Sequence, residues 1–288
     1  MKCKMFDLFN VFNIERSQLN TIAVKSLIHA MISKKICILE KQEFIFDENT
    51  FIECWKIYSD CLYYFDPNYN RKDDFYSFFR YIIDCKMIGT PVNFHALFCP
   101  GYTKYGYKLY LGNTTLWKLR TLREIIDILN TSGLTSSMTC YYSDVFLENC
   151  NDQLEPNWRN QLNYNRQLFH AEGRKYFGRE SIKNASDIPI FVGEKDKEGY
   201  VDGKIVDNIP KATYNAFVKC NKKFYVQLGF TEEEMNYRNN RLITMYRIFS
   251  DYLNEQKNSV FLPMENMYER ENIFSENGTC TMYLKLKK

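Results

Sequence analysis

Four side chains that could act on a substrate stand near the ends of two apolar segments, residues 92–98 and 138–142. They are Cys99, Lys104, Lys108 and Asp144. A thiolate is a nucleophile, and a lysine amine can hold an anion. A carboxylate can bind a substrate amine or take a proton. We expect these four to be catalytic, although Cys99 could also be a structural thiol and Asp144 could cap a turn.

The segment that joins the first apolar stretch to the next helix is long. It spans about 15 residues, whereas two to six are usual in such connections, and extra length often serves a binding site. Its lysines and its glycines (101, 106 and 112) suit an anionic small molecule, as does the amino end of the following helix. The alternative is a solvated surface loop with a helix cap. The expected substrate-binding residues are Tyr102, Thr103, Asn113, Thr114, Thr115, Glu148 and Glu265.

Two of the elements that would position these residues are buried strands. Residues 92–98 and 138–142 are apolar runs, and the helical periodicity of residues 115–129 lies between them. Strand, crossover helix and strand indicate a parallel sheet, in which ligands bind beyond the carboxyl ends of the strands. The sequence therefore predicts an α/β, Rossmann-like sheet flanked by helices, with a last strand pair at 259–262 and 279–286.

The chain divides into two predicted regions. Residues 1–88 read as a mainly helical N-terminal extension with a β-hairpin, and residues 89–288 as the Rossmann-like domain. Further helices are predicted at 74–85, 156–177 and 231–255 from their apolar spacing. Residues 178–210 read as loop.

Composition excludes several classes of protein. Of 288 residues, 45% are hydrophobic, which argues against disorder, and 38 basic against 35 acidic residues give a net charge of only +3. Ten scattered cysteines show no metal or disulfide spacing, and no apolar run could cross a membrane. We expect a reduced, cytoplasmic protein that needs no cofactor, no metal and no membrane.

A basic series runs along residues 156–179. Arg159, Arg166 and Arg174 recur every seven or eight residues, which places them on one side of a helix. Such a surface could follow RNA phosphates, and the alternative is an ordinary solvated face.

The stretch 75–150 resembles the isocyanide (isonitrile) synthase family. The resemblance lies in "FHALFCPGY", the lysines before Leu111-Gly112, and "YYSDVF". It implies an enzyme that joins an amino acid amine to a carbon of a phosphosugar ketose. Lys104 or Lys108 would then hold the sugar phosphate or assist imine chemistry, and Asp144 would sit beside the substrates.

A second resemblance leads to another chemistry. "FCPGYT" is similar to the strand end of tRNA-dependent cyclodipeptide synthases, with Cys99 at the position of the family's nucleophilic serine. That family uses aminoacyl-tRNA, and residues 156–179 would be its tRNA-docking helix. A third hypothesis is a binding module without catalysis, because fold does not fix function.

Overall fold

A computed structural model describes ten segments of the chain. They are residues 72–98, 101–103, 106–110, 113–131, 134–146, 158–189, 209–227, 229–263, 273–274 and 276–281. The helix and hairpin predicted within residues 1–71 lie outside these segments, as does most of the predicted N-terminal extension.

Six strands are present in the described residues: β1 (Val92–Phe98), β2 (Gly101–Thr103), β3 (Gly106–Tyr110), β4 (Ser136–Tyr142), β5 (Ile182–Asn184) and β6 (Ser259–Pro263). Four of them form one sheet in the order β5-β4-β1-β6. Every pairing in that sheet is parallel. The predicted α/β class is therefore confirmed, and the predicted strands at 92–98, 138–142 and 259–262 are present with small extensions.

The predicted loop after β1 is in fact partly regular. Strands β2 and β3 pair antiparallel, with Gly101 opposite Tyr110 and Tyr102 opposite Leu109. Tyrosine and threonine favour extended backbone, and the two strands contain three tyrosines and one threonine. The prediction of a loop here was wrong, since a short hairpin occupies most of the segment.

Five helices of at least 16 residues lie in the described residues: α1 (Lys72–Met87), α2 (Asn113–Thr131), α3 (Trp158–Phe177), α4 (Lys211–Gln227) and α5 (Glu232–Glu255). Four were predicted, with ends that differ by a few residues. Thr231 caps α5 and shares a capping box with Glu234, which explains why α5 begins where it does. Helix α4 was not predicted, and neither was β5. None of the described helices is apolar over a length that would span a bilayer.

The two faces of the sheet are covered by different helices. On one face, Phe98 and Tyr142 pack on Phe169 of α3. On the other, Tyr141 and Phe261 pack on Phe249 of α5. Successive side chains of a strand point to opposite faces of the sheet, so consecutive residues of β1 and β4 pack against different helices. The carboxyl ends of the strands thus lie between α3 and α5.

His95 in β1 is a buried structural group. Its Nδ1 lies 3.3 Å from the Tyr141 hydroxyl and its Nε2 lies 3.1 Å from the Ser259 hydroxyl, so it links three strands. Burial, together with the smaller effect of the nearby Lys183 charge, lowers the pKa of His95 to about 4. The imidazole is therefore neutral in the folded protein at pH 7.

This histidine should make the protein sensitive to acid. The unfolded chain binds the proton near pH 6.5, whereas the folded chain resists it to about pH 4. The free energy of unfolding is therefore not reduced by this group above pH 6.5. As the pH falls from 6.5 to 4, protonation of His95 in the unfolded chain lowers that free energy by up to about 3 kcal/mol. His95→Gln should lose less stability than the wild type between pH 7 and pH 4.5 in urea unfolding. An equal loss in both proteins would contradict this role.

Candidate functional site

The carboxyl ends of β1, β4 and β6 lie side by side. Phe98 is opposite Tyr142, and Leu97 is opposite Pro263. The pairing of β1 with β4 continues one residue further, because the Ser143 N–H donates to the Phe98 carbonyl oxygen at 3.0 Å. Groups that follow these strands in sequence must therefore start from one edge of the sheet, where ligands of parallel sheets bind.

Only some of the predicted site residues lie in the described segments. Cys99, Lys104, Glu148 and Glu265 lie outside them. Tyr102 and Thr103 are in β2, Lys108 is in β3, and Asn113, Thr114 and Thr115 form the first turn of α2, where Thr115 is buried. Lys108 thus lies in the second strand of the hairpin that follows β1 in the chain. The roles assigned to all these side chains stay predictions.

Asp144 is buried at the end of β4, and its carboxylate is already hydrogen-bonded. Oδ1 accepts from the backbone N–H groups of Val145 and Ser186, each at 3.0 Å. Oδ2 accepts from the Ser186 hydroxyl at 2.5 Å. Ser186 follows β5, so this carboxylate ties the ends of two neighbouring strands together. Its catalytic role stays a prediction. We call the hydrogen-bonded pair of Asp144 and Ser186 the clamp, because it joins the ends of β4 and β5.

Ser186 had no signal in the sequence. It lies 42 residues from Asp144 in a segment that reads as loop, and nothing local shows that it returns to the end of β4. Asp187 fixes the same turn, since its carboxylate accepts from the Asn184 N–H at 2.8 Å. The short β5 and the turn after it are held by side chains rather than by a long ladder.

Helix α3 lies against the end of β1. Phe169, in the middle of the helix, packs on Phe98 with ring centroids 5.2 Å apart. The Tyr142 hydroxyl donates to the Leu162 carbonyl oxygen, and His170 is hydrogen-bonded to Asn184 of β5 at 2.8 Å. These contacts reach from β1 to β5, so the position of α3 is fixed relative to the whole carboxyl edge.

One glycine permits this close approach of helix and strand. Gly173 of α3 is buried against Ile182 of β5. A Cβ at Gly173 would stand 2.7 Å from the Ile182 Cδ1 atom, which is closer than atoms pack. A larger residue at this position would require the Ile182 side chain to move or α3 to shift away from β5.

The outer face of α3 is basic. The helix contains Arg159, Arg166, Arg174 and Lys175 against a single acid, Glu172, which is paired with Lys175 at 2.6 Å. Its formal net charge of +3 equals that of the whole chain. Arg159 and Arg174 are exposed and Arg166 is half-buried. At 3.6 residues per turn the three arginines lie within about 80° of one another around the helix, as the sequence predicted.

This basic helix also contacts the elements around it. It packs against β3 and α2. The Arg123 guanidinium of α2 donates to the Tyr176 carbonyl oxygen at 2.9 Å, near the carboxyl end of α3. Tyr164 is 62% exposed and lies between Arg159 and Arg166 in sequence, but at 3.6 residues per turn it is about 140° or more around the helix from both. A positive helix with an exposed aromatic ring is the type of surface that nucleic acids bind.

The clamp formed by Asp144 and Ser186 should be measurable as stability. Asp144→Asn replaces one acceptor oxygen by a donor group, and we expect the free energy of unfolding to fall by about 2 kcal/mol. Ser186→Ala removes one of the three bonds and should cost about 1 kcal/mol. In urea unfolding the double variant should lose less than the two single losses combined, because they share a bond. If Asp144→Asn is as stable as the wild type, the clamp is not significant.

Comparisons with known proteins identify no family for this chain. No model of a known protein family matches the chain, and no curated protein matches it. Among solved structures, a CDPS (cyclodipeptide synthase) from Staphylococcus haemolyticus is similar, with 13% sequence identity and a TM-score of 0.40. The match covers 68% of this chain and 88% of that chain. So distant a likeness does not transfer a function, which has to be inferred from this chain's own residues and contacts.

Proposed function

We propose that this protein binds aminoacyl-tRNA and transfers its aminoacyl group, as a cyclodipeptide synthase does. The tRNA body binds along the outer face of α3. The aminoacyl end reaches the carboxyl edge of the sheet, where Cys99 follows β1 in the sequence. The product is a cyclic dipeptide.

The contact between Phe98 and Phe169 carries this proposal. Phe98 directly precedes Cys99, and Phe169 lies between Arg166 and Arg174 on α3. At a rise of 1.5 Å per residue, Arg174 is roughly 8 Å and Arg159 roughly 15 Å from Phe169 along the helix axis. The single-stranded end of a tRNA can cross such distances.

The charge distribution supports a polyanion rather than a small anion. Phosphate backbones are bound by rows of Arg and Lys that lie along an extended surface. Arg159 and Arg174 are 15 positions apart, which is roughly 22 Å along a helix that rises 1.5 Å per residue. A sugar phosphate would need a compact pocket of charges instead.

The isocyanide synthase hypothesis lacks a comparable observation. It requires Asp144 to act beside Lys104 or Lys108. Both carboxylate oxygens of Asp144 already accept hydrogen bonds from the chain itself. We therefore favour the tRNA-dependent reaction.

The first chemical step is an acyl transfer to sulfur. The Cys99 thiolate attacks the carbonyl carbon of the aminoacyl ester, a C–S bond forms, and the C–O bond to the tRNA ribose breaks. The proton given up by the thiol ends on the ribose oxygen. The amine of a second aminoacyl-tRNA then attacks the thioester, which forms an amide bond and releases the thiolate. The free amine of the resulting dipeptidyl-tRNA attacks its own ester carbonyl, so the second amide bond closes the ring, the ester C–O bond breaks, and the amine proton ends on the ribose oxygen of the departing tRNA.

The exposed arginines should contribute strongly to tRNA binding. We expect Arg159→Ala/Arg174→Ala to bind total tRNA at least about 10-fold more weakly than the wild type, because two phosphate contacts are lost. The slope of log affinity against log salt should also fall by roughly 1 to 2. Filter binding at several salt concentrations measures both quantities.

A matched control comes from α4. Lys222 and Lys223 are exposed, and Lys222→Ala/Lys223→Ala removes the same charge from another helix. Its affinity and salt slope should equal those of the wild type. The proposal fails if the two double variants lose affinity equally, or if the wild type does not bind tRNA.

Cys99 should carry the aminoacyl group. Wild-type protein mixed with aminoacyl-tRNA should gain the mass of one aminoacyl group in intact-protein mass spectrometry, and hydroxylamine should remove it, since thioesters are cleaved by strong nucleophiles. Cys99→Ala should gain nothing, whereas Cys220→Ala, which changes an exposed cysteine of α4, should behave as the wild type. An adduct that persists in Cys99→Ala would contradict the assignment.

A further inference from the structure

Ser143 has a buried hydroxyl group to which no described residue is hydrogen-bonded. The residue is 0% exposed, and it directly follows β4. Its Oγ atom has no hydrogen-bond partner anywhere in the described part of the chain. Buried hydroxyl groups are nearly always hydrogen-bonded, so each exception calls for an explanation.

The main chain around this hydroxyl is held firmly. The Ser143 N–H donates to the Phe98 carbonyl oxygen at 3.0 Å, which joins it to the end of β1. The next residue, Asp144, is fixed by its three hydrogen bonds to Val145 and Ser186. Ser143 therefore stands at the junction of two strand ends with its backbone fixed on both sides.

A second serine shows how a buried hydroxyl can be satisfied in this protein, whereas the buried Thr244 hydroxyl of α5, like that of Ser143, has no partner among the described residues. Ser250 of α5 is also 0% exposed. Its Oγ atom lies 2.6 Å from the Thr279 hydroxyl and accepts from the Asn277 side-chain amide at 2.9 Å. The fold therefore satisfies one fully buried serine hydroxyl and leaves the other unsatisfied, and the unsatisfied one lies at the edge where parallel sheets bind ligands.

We propose that the Ser143 hydroxyl donates a hydrogen bond to the carbonyl oxygen of the aminoacyl group that is transferred. This inference rests on the proposed function, which brings that carbonyl to the same edge of the sheet. A donor that is fixed in place before the reaction, and shielded from water, stabilises the negative charge that develops on a carbonyl oxygen under attack. An unsatisfied hydroxyl costs the free protein stability, which the bound substrate offsets.

Ser143→Ala tests the inference by separating stability from activity. The alanine removes a buried hydroxyl that has no partner, so the melting temperature should stay the same or rise. The affinity for tRNA should be unchanged, because the arginines of α3 are intact. The single-turnover rate of aminoacyl transfer, measured with total aminoacyl-tRNA at saturation, should fall about 100-fold, as it does when one donor to an oxyanion is lost.

Ser250→Ala is the matched control. It removes a hydroxyl that has two partners, so its melting temperature should fall by several degrees, while the transfer rate of the molecules that remain folded should match the wild type. The same assays on both variants distinguish a group that serves the substrate from one that serves the fold.

Each outcome decides a different point. If the wild type transfers the aminoacyl group and Ser143→Ala does so at the same rate, the inference is wrong and the proposed function stands. If Ser143→Ala melts several degrees lower than the wild type, the hydroxyl has a structural partner and the inference is wrong. If the wild type itself transfers nothing, the proposed function fails, and the inference fails with it.

Discussion

The parallel pairing of β1 with β4 is the constraint on which the rest of the structure depends. It brings Phe98 opposite Tyr142 and lets the Ser143 N–H reach the Phe98 carbonyl oxygen. Because side chains alternate along each strand, this one register sends Phe98 and Tyr142 toward α3 and sends Tyr141 toward α5. A shift by one residue would exchange the two layers and would move every group at the strand ends.

This pairing also determines where the other parts of the site lie. Phe169 packs on the end of β1, which fixes the basic helix α3 beside the position that Cys99 follows in sequence. Asp144 secures the turn after β5 from the next strand. Asp144 and Ser186 hold strands together at this edge. Arg159 and Arg174 are exposed, and the Ser143 hydroxyl has no hydrogen-bond partner among the described residues.

The sequence predicted the parts of the fold that have strong local signals. The apolar runs of β1 and β4 and the periodicity of α2 and α5 sufficed, because burial requires such patterns. Strand β5 has only three residues, and its pairing with Cys140, Tyr141 and Tyr142 is a contact between distant segments. Helix α4 buries Thr213 and Asn221, which weakens its apolar pattern. The arginine face of α3 was visible in the spacing, whereas the unused hydroxyl of Ser143 depends on contacts that no sequence pattern shows.

The central claim is that tRNA lies along α3, next to the end of β1. The most direct measurement is ultraviolet cross-linking of bound total tRNA to the wild-type protein, followed by mass spectrometry of the linked peptides. We expect linked peptides from residues 158–177, with Tyr164 among the attachment points, since its side chain is 62% exposed. Cross-links confined to other segments, such as the exposed lysines of α4, or no cross-linked tRNA at all, would contradict the claim.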